Sequence, residues 1–272
     1  MKYFDAHNHL QDEWLAPHLP RVLGTLDQIG IAGAVVNGTI DSDWSAVALL
    51  AREHPWIIPS YGIHPWRVRE RVPDWAEQLC ARLDAGGAVG EIGLDRWKAG
   101  YDIEDQETVF RTQLQLAAGR NLPATIHCLR AWGALWDIVR ASPIPACGFL
   151  LHAYGGPVEM IEGFASRGAY FSFNGYFLAE PRHKKRESFT QVPLDRLLVE
   201  TDAPAMPLPP DLNRHPLPDT ANGDPVNHPA NITVAYQGLA KLRSMEIDEL
   251  AQAVEQNFQR LFGKIKTAPP SN

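Results

Sequence analysis

Cysteine is scarce in this 272-residue chain: Cys80, Cys128 and Cys147 form an odd set with no metal-knuckle spacing. This excludes a disulfide scaffold and a thiolate zinc module, leaving three reduced thiols as the expectation. Long hydrophobic runs are missing too, since no stretch approaches the ~18–20 apolar residues of a membrane span. The opening Met1-Lys2-Tyr3-Phe4-Asp5-Ala6-His7 lacks the apolar core and cleavage site of a signal peptide, so the expected compartment is the cytoplasm. Positive charge is in deficit, with 25 Lys and Arg against 32 Asp and Glu and a formal net charge of −7. That balance excludes a protein that coats nucleic acid by bulk charge, though not a local basic groove or phosphate-neutralising cations. Internal repeats, low-complexity tracts, a P-loop, a dinucleotide glycine fingerprint and a serine nucleophile elbow are also absent.

What is present reads as an ordinary globular chain, 45% hydrophobic and 21% charged. Short β-rich apolar segments alternate with longer helical ones. Strands are expected at 3–9, 33–37, 57–62, 88–92, 124–127, 148–152, 170–174 and 196–201. Between them, 104–120 places Phe110, Leu114 and Ala117 on one helical face, and Pro157 suits the first turn of another helix. The last helices are expected at 229–242 and 247–262. Eight strands in alternation predict an α/β fold, a single (β/α)8 TIM-type barrel with its active site at the C-terminal strand ends. A doubly wound open sheet is the alternative. The barrel should fill 1–264 and leave a short polar tail over 265–272. Eight of the 22 prolines fall between Pro204 and Pro229, precluding regular structure there. Because helical sequence resumes at Pro229, an ordered loop over one barrel end, and a candidate lid, is expected rather than a linker.

The chemistry concentrates at the strand ends. In Phe4-Asp5-Ala6-His7-Asn8-His9, residues i and i+2 share a face, so His7 and His9 both turn inward and can share one divalent ion. The fourth strand ends in Gly90-Glu91-Ile92-Gly93-Leu94-Asp95, the fifth in Thr125-Ile126-His127 and the sixth in Leu150-Leu151-His152. The eighth runs Leu197-Leu198-Val199-Glu200-Thr201-Asp202. Any one of these is a common turn or cap residue. Barrel closure brings all of them together, where acids would repel and be poorly solvated without a cation, so divalent-metal binding is expected.

With Gly62-Ile63-His64-Pro65-Trp66 and Val199-Glu200-Thr201-Asp202-Ala203-Pro204, these motifs resemble the TatD-type DNases, metal-dependent hydrolases among the amidohydrolase-like barrels. The resemblance spans nearly the whole chain. It implies hydrolysis of DNA phosphodiester bonds with two or more divalent ions, zinc, manganese or magnesium. It carries the ligand role onto His7, His9, Glu91, His127, His152 and Asp202, with Glu91 shared between metals. Three departures concern substrate choice. Cys128-Leu129-Arg130 stands where the family often has Ser-Arg-acid, so either Arg130 is the phosphate contact from a shifted position or that contact is absent. Ala153-Tyr154-Gly155-Gly156 replaces Cys-Phe-Ser-Gly, and His228 stands in place of an acid in Asn227-His228-Pro229.

The expected mechanism is attack by metal-activated water, with Asp202 as general base and Glu91 holding both ions. His64 is expected to touch substrate, while Trp66 either stacks on a base or anchors its loop. Cys128 faces away from the neighbouring His127 and is expected to be core. The basic runs Arg67, Arg69, Arg71 and Arg182, His183, Lys184, Lys185, Arg186 are either solvated helix faces or a phosphate track. DNA is the leading substrate. A small-molecule amidohydrolase or lactonase, or an aminoacyl-tRNA deacylase, would use the same centre. A catalytically inert binding barrel is the non-enzymatic alternative. No membrane or obligate protein partner is expected.

Overall fold

Eight segments are buried along nearly their whole length, as a parallel sheet covered on both faces requires. In the computed structural model, which describes residues 1–97 and 99–265, they are β1 (Tyr3–Asn8), β2 (Ile31–Asn37), β3 (Ile57–Tyr61), β4 (Ala88–Asp95), β5 (Ala124–Leu129), β6 (Phe149–Leu151), β7 (Ala169–Asn174) and β8 (Leu197–Glu200). All ladders are parallel and the spatial order is the chain order. The intervening helices are α1 (Leu19–Ile29), α2 (Trp44–Glu53), α3 (Trp75–Ala85), α4 (Ile103–Arg120), α5 (Trp132–Ala141), α6 (Ile161–Ser166) and α7 (His183–Ser188). Two more, α8 (Ile232–Arg243) and α9 (Ile247–Phe262), complete the barrel. It is the expected (β/α)8 architecture. None of the described helices is long and apolar enough to cross a membrane.

The β8–β1 seam closes through polar groups. The Asp202 N–H donates to His7 O at 2.9 Å, and the His9 N–H to Ala203 O at 2.7 Å. Asp5 stitches the same seam, accepting from the Thr201 N–H (3.0 Å), the Thr201 hydroxyl (2.6 Å), Asn8 Nδ2 (3.0 Å) and the His7 N–H (3.2 Å). Burial still pushes its carboxyl up to about 7. Outside the seam, Phe4 packs on Phe258 of α9 with ring centroids 4.9 Å apart.

Polar anchors also hold the mouth near β3 and β4. Asp102 caps α4 by accepting from the Asp105 N–H, and the helix buries Gln106 and Gln113 among its apolar residues. Gln106 Oε1 accepts from the Asp95 N–H at 2.9 Å, and Gln113 Oε1 from the Ile63 N–H at 2.7 Å. Gly93 is obligatory for packing: at φ +142, an added Cβ would lie 2.0 Å from His127 O. Its lack of a side chain lets β4 and β5 approach closely enough for Glu91 and His127 to meet.

Several boundaries differ from expectation. β4 and β5 continue to Asp95 and Leu129 because their ladder persists to the rim. β6 and β8 stop early, leaving His152 and Asp202 just past the strand ends. Pro157 lies in extended backbone before a 3-10 turn at Val158–Met160 rather than inside a helix. Residues 229–231 form a 3-10 turn leading into α8. The proline-rich segment is an ordered loop that buries Leu208, Leu217 and Val226. Asn227 ties it to the barrel by donating to Thr201 O at 2.9 Å and Met206 O at 3.2 Å. Apart from Ile265, the expected tail at 265–272 lies outside the described residues.

Candidate metal centre

The strand ends deliver their imidazoles and carboxylates into one buried cluster. His7 Nε2, His9 Nε2, Glu91 Oε2 and Asp202 Oδ1 stand 3.2–3.5 Å apart in five pairings. Atoms bound about 2.0–2.1 Å from a tetrahedral zinc stand about 3.3 Å from one another, so this set has ligand spacing. The other Glu91 oxygen, Oε1, lies 3.1 Å from His127 Nδ1 and 2.9 Å from His152 Nε2. Those two nitrogens are 3.2 Å apart. One carboxylate therefore addresses two groups of histidines with different oxygens.

Hydrogen bonds around the cluster set the tautomers. His9 Nδ1–H donates to Asn37 O at 2.7 Å, leaving the Nε2 lone pair turned inward. His127 Nε2–H donates to Asp95 Oδ2 at 2.9 Å, leaving Nδ1 for the centre. The carbonyl behind His9 and the carboxylate behind His127 are the arrangement that orients metal-binding histidines. His152 Nδ1 faces Glu200 Oε1 at 3.6 Å, and Glu200 is held by the Ser172 hydroxyl and by Asn174 Nδ2 at 3.2 Å. His7 stacks on His152 with centroids 4.0 Å apart. The donor types, spacing and tautomers all suit divalent cations.

Burial alone would push Glu91 up, but His152 and His7 beside it and the hydrogen bond with His127 hold the carboxyl well below its usual range. Asp202, also pushed upward by burial, is held down by His7 and His9. Both acids therefore favour the ionised form. His64 differs from its neighbours. Although its Nε2 lies 3.5 Å from Glu91 Oε1, its Nδ1 accepts the Trp66 N–H at 3.1 Å. A neutral ring so engaged carries its proton on Nε2 and acts as a donor, although His64 also groups with Glu91 and His127 at a spacing that could hold an ion. Burial pushes its pKa down to about 3, which keeps the ring neutral.

The sequence profile of the TatD-related DNases matches residues 4–263. The chain belongs to the TatD-related DNase family. Membership places this TatD-related chain among the metal-dependent hydrolases. It is 30% identical over 267 residues to the 3'-5' ssDNA/RNA exonuclease TatD of Erwinia tasmaniensis, covering 95% of this chain and 99% of that one. It is 29% identical to YabD, an uncharacterized metal-dependent hydrolase of Bacillus subtilis, over 95% and 98% of the two chains. The crystal structure of Escherichia coli YjjV, a TatD homolog, superposes with a TM-score of 0.86 at 27% identity, covering 96% of this chain and 98% of that one.

All six residues expected as ligands in this TatD-related chain converge, and His64 joins them. Arg130 does not enter the cluster; it sits exposed on the rim with a left-handed φ of 57°. Trp66 packs against His64 and His127. Cys128 is buried, which pushes its thiol upward and suits a core role. The basic runs are largely engaged elsewhere. Arg71 forms a two-pronged pair with Asp105 (2.7 and 2.9 Å), Arg67 pairs with Glu70, Arg182 lies over Tyr176 and Arg186 donates to Leu178 O. The supporting roles of Asp5, Asp95, Glu200, Ser172 and Asn174 were missed. Even spacing from Glu91 to Asp95 along β4 was the available signal for Asp95.

Proposed function

We propose that this protein is a divalent-metal-dependent phosphodiesterase that shortens nucleic acid strands, with DNA as its leading substrate. The observation carrying the reading is the split of Glu91: Oε2 faces His7 and His9, and Oε1 faces His127 and His152. His7, His9 and Asp202 would hold one cation, His127 and His152 another, with Glu91 shared. Such ions lower the pKa of water and neutralise charge on phosphoryl oxygens. The relatives named as single-stranded DNA and RNA exonucleases support a polynucleotide substrate.

The remaining chemistry falls to the chain. Asp202 is ionised and opposes β1 across the seam, so it accepts the proton of the attacking water. Neutral His64 donates its Nε2–H to a substrate oxygen. His64→Ala should lower kcat about a hundredfold while leaving metal content unchanged. Paired kinetics and elemental analysis check this; concomitant loss of metal would make His64 a ligand instead.

The deciding experiment offers metal-reconstituted protein single- and double-stranded DNA, RNA, lactones and aminoacyl-tRNA. Progressive shortening of labelled single strands is expected. Turnover of the small esters or aminoacyl-tRNA alone would overturn the proposal.

A further inference from the structure

Trp97 is half exposed at the catalytic end of the barrel, immediately after β4. Burying an indole normally stabilises a fold, so one left in water beside a reactive centre offers an open apolar face. Its backbone is tied to the centre. The Trp97 N–H donates to Asp95 Oδ1 at 2.7 Å, while Asp95 Oδ2 holds His127 at 2.9 Å. One carboxylate thus orients a residue of the metal centre and anchors the backbone carrying the indole. Trp14, the other markedly exposed tryptophan, has its N–H tied only to Asp12.

The β4–β5 ladder places a cation on the same part of the rim. Asp95 is in register with Leu129, and the Arg96 N–H donates to Leu129 O at 2.9 Å. Trp97 and Arg130 consequently leave adjacent strands at the same level. Arg130 is exposed and makes no ion pair among the described residues. We propose that Trp97 and Arg130 form a nucleotide subsite: the indole stacks on an unpaired base, and the guanidinium neutralises an adjoining phosphate. This inference rests on the polynucleotide reading above and gives it selectivity. Every base has a π face, so stacking accepts DNA and RNA of any sequence. A duplex keeps its internal bases paired and stacked, away from the indole.

The test measures binding of a fluorescein-labelled phosphorothioate oligothymidylate to zinc-loaded full-length protein by anisotropy. A base-free oligomer of the same backbone and a blunt duplex serve as comparators. Trp97→Ala should weaken oligothymidylate binding about five- to a hundredfold, leave both comparators unchanged, and be partly rescued by Trp97→Phe. Arg130→Gln should weaken the thymidylate and base-free strands alike and reduce the salt slope by about 0.7. Unchanged oligothymidylate affinity in Trp97→Ala, or an equal loss for the base-free strand, would overturn the stacking role. Hydrolysis of bis(p-nitrophenyl) phosphate by the wild-type protein is measured in parallel. If wild-type protein failed to hydrolyse both that ester and the strands, the phosphodiesterase reading would fall, while anisotropy would still decide the subsite.

Discussion

Glu91→Gln should reduce phosphodiester hydrolysis by at least about a thousandfold, equivalent to several kcal/mol of transition-state stabilisation. The substitution preserves side-chain size at a site only 2% exposed, so the barrel should remain folded. It removes the negative charge that faces His7, His9, His127 and His152 within 3.5 Å. An amide has one acceptor oxygen in place of two and turns an NH2 toward one imidazole group. Cation binding should consequently fail on at least one side. Steady-state hydrolysis of a labelled single strand and metal content of the purified variant check the result. Activity within tenfold of wild type would show that the shared carboxylate is dispensable.

Asp202→Asn separates proton transfer from folding. Asp202 has φ 53°, in the left-handed region, and Asn is among the few side chains tolerated there. Its N–H bond to His7 O uses the main chain and survives the exchange. The melting temperature should therefore remain near that of wild type while kcat falls about 10²–10⁴-fold, the usual contribution of a general base. Full activity in this variant would remove Asp202 from the mechanism. A large drop in melting temperature would instead mark it as a seam residue.

The barrel was legible because strands buried on both faces leave continuous apolar runs, and proline clustering marks a loop that cannot join the sheet. His7 and His9 were legible for a similarly local reason: alternate residues on a strand share a face. Asp5 was not. Its role as the β8–β1 stitch depends on Thr201, a residue distant along the chain, and only closure brings the two together. His64 marks another boundary. Its loop position was readable, but its status as a donor depends on the Trp66 N–H occupying Nδ1. Basic runs read from sequence carry no information about partners, which is why a solvated face and a phosphate track were both open for Arg71 and Arg182 before their attachments to Asp105 and Tyr176 were visible.

Two cation sites joined by Glu91 would give the protein a specific magnetic behaviour. Metal-free protein titrated with Mn2+ and followed by electron paramagnetic resonance should bind about two equivalents, and ions about 3.5–4 Å apart should be spin-coupled. The six-line signal of an isolated ion should therefore give way to a coupled-pair spectrum as the second equivalent binds. Saturation at one equivalent, with an isolated-ion spectrum throughout, would rule out a second cation shared through Glu91.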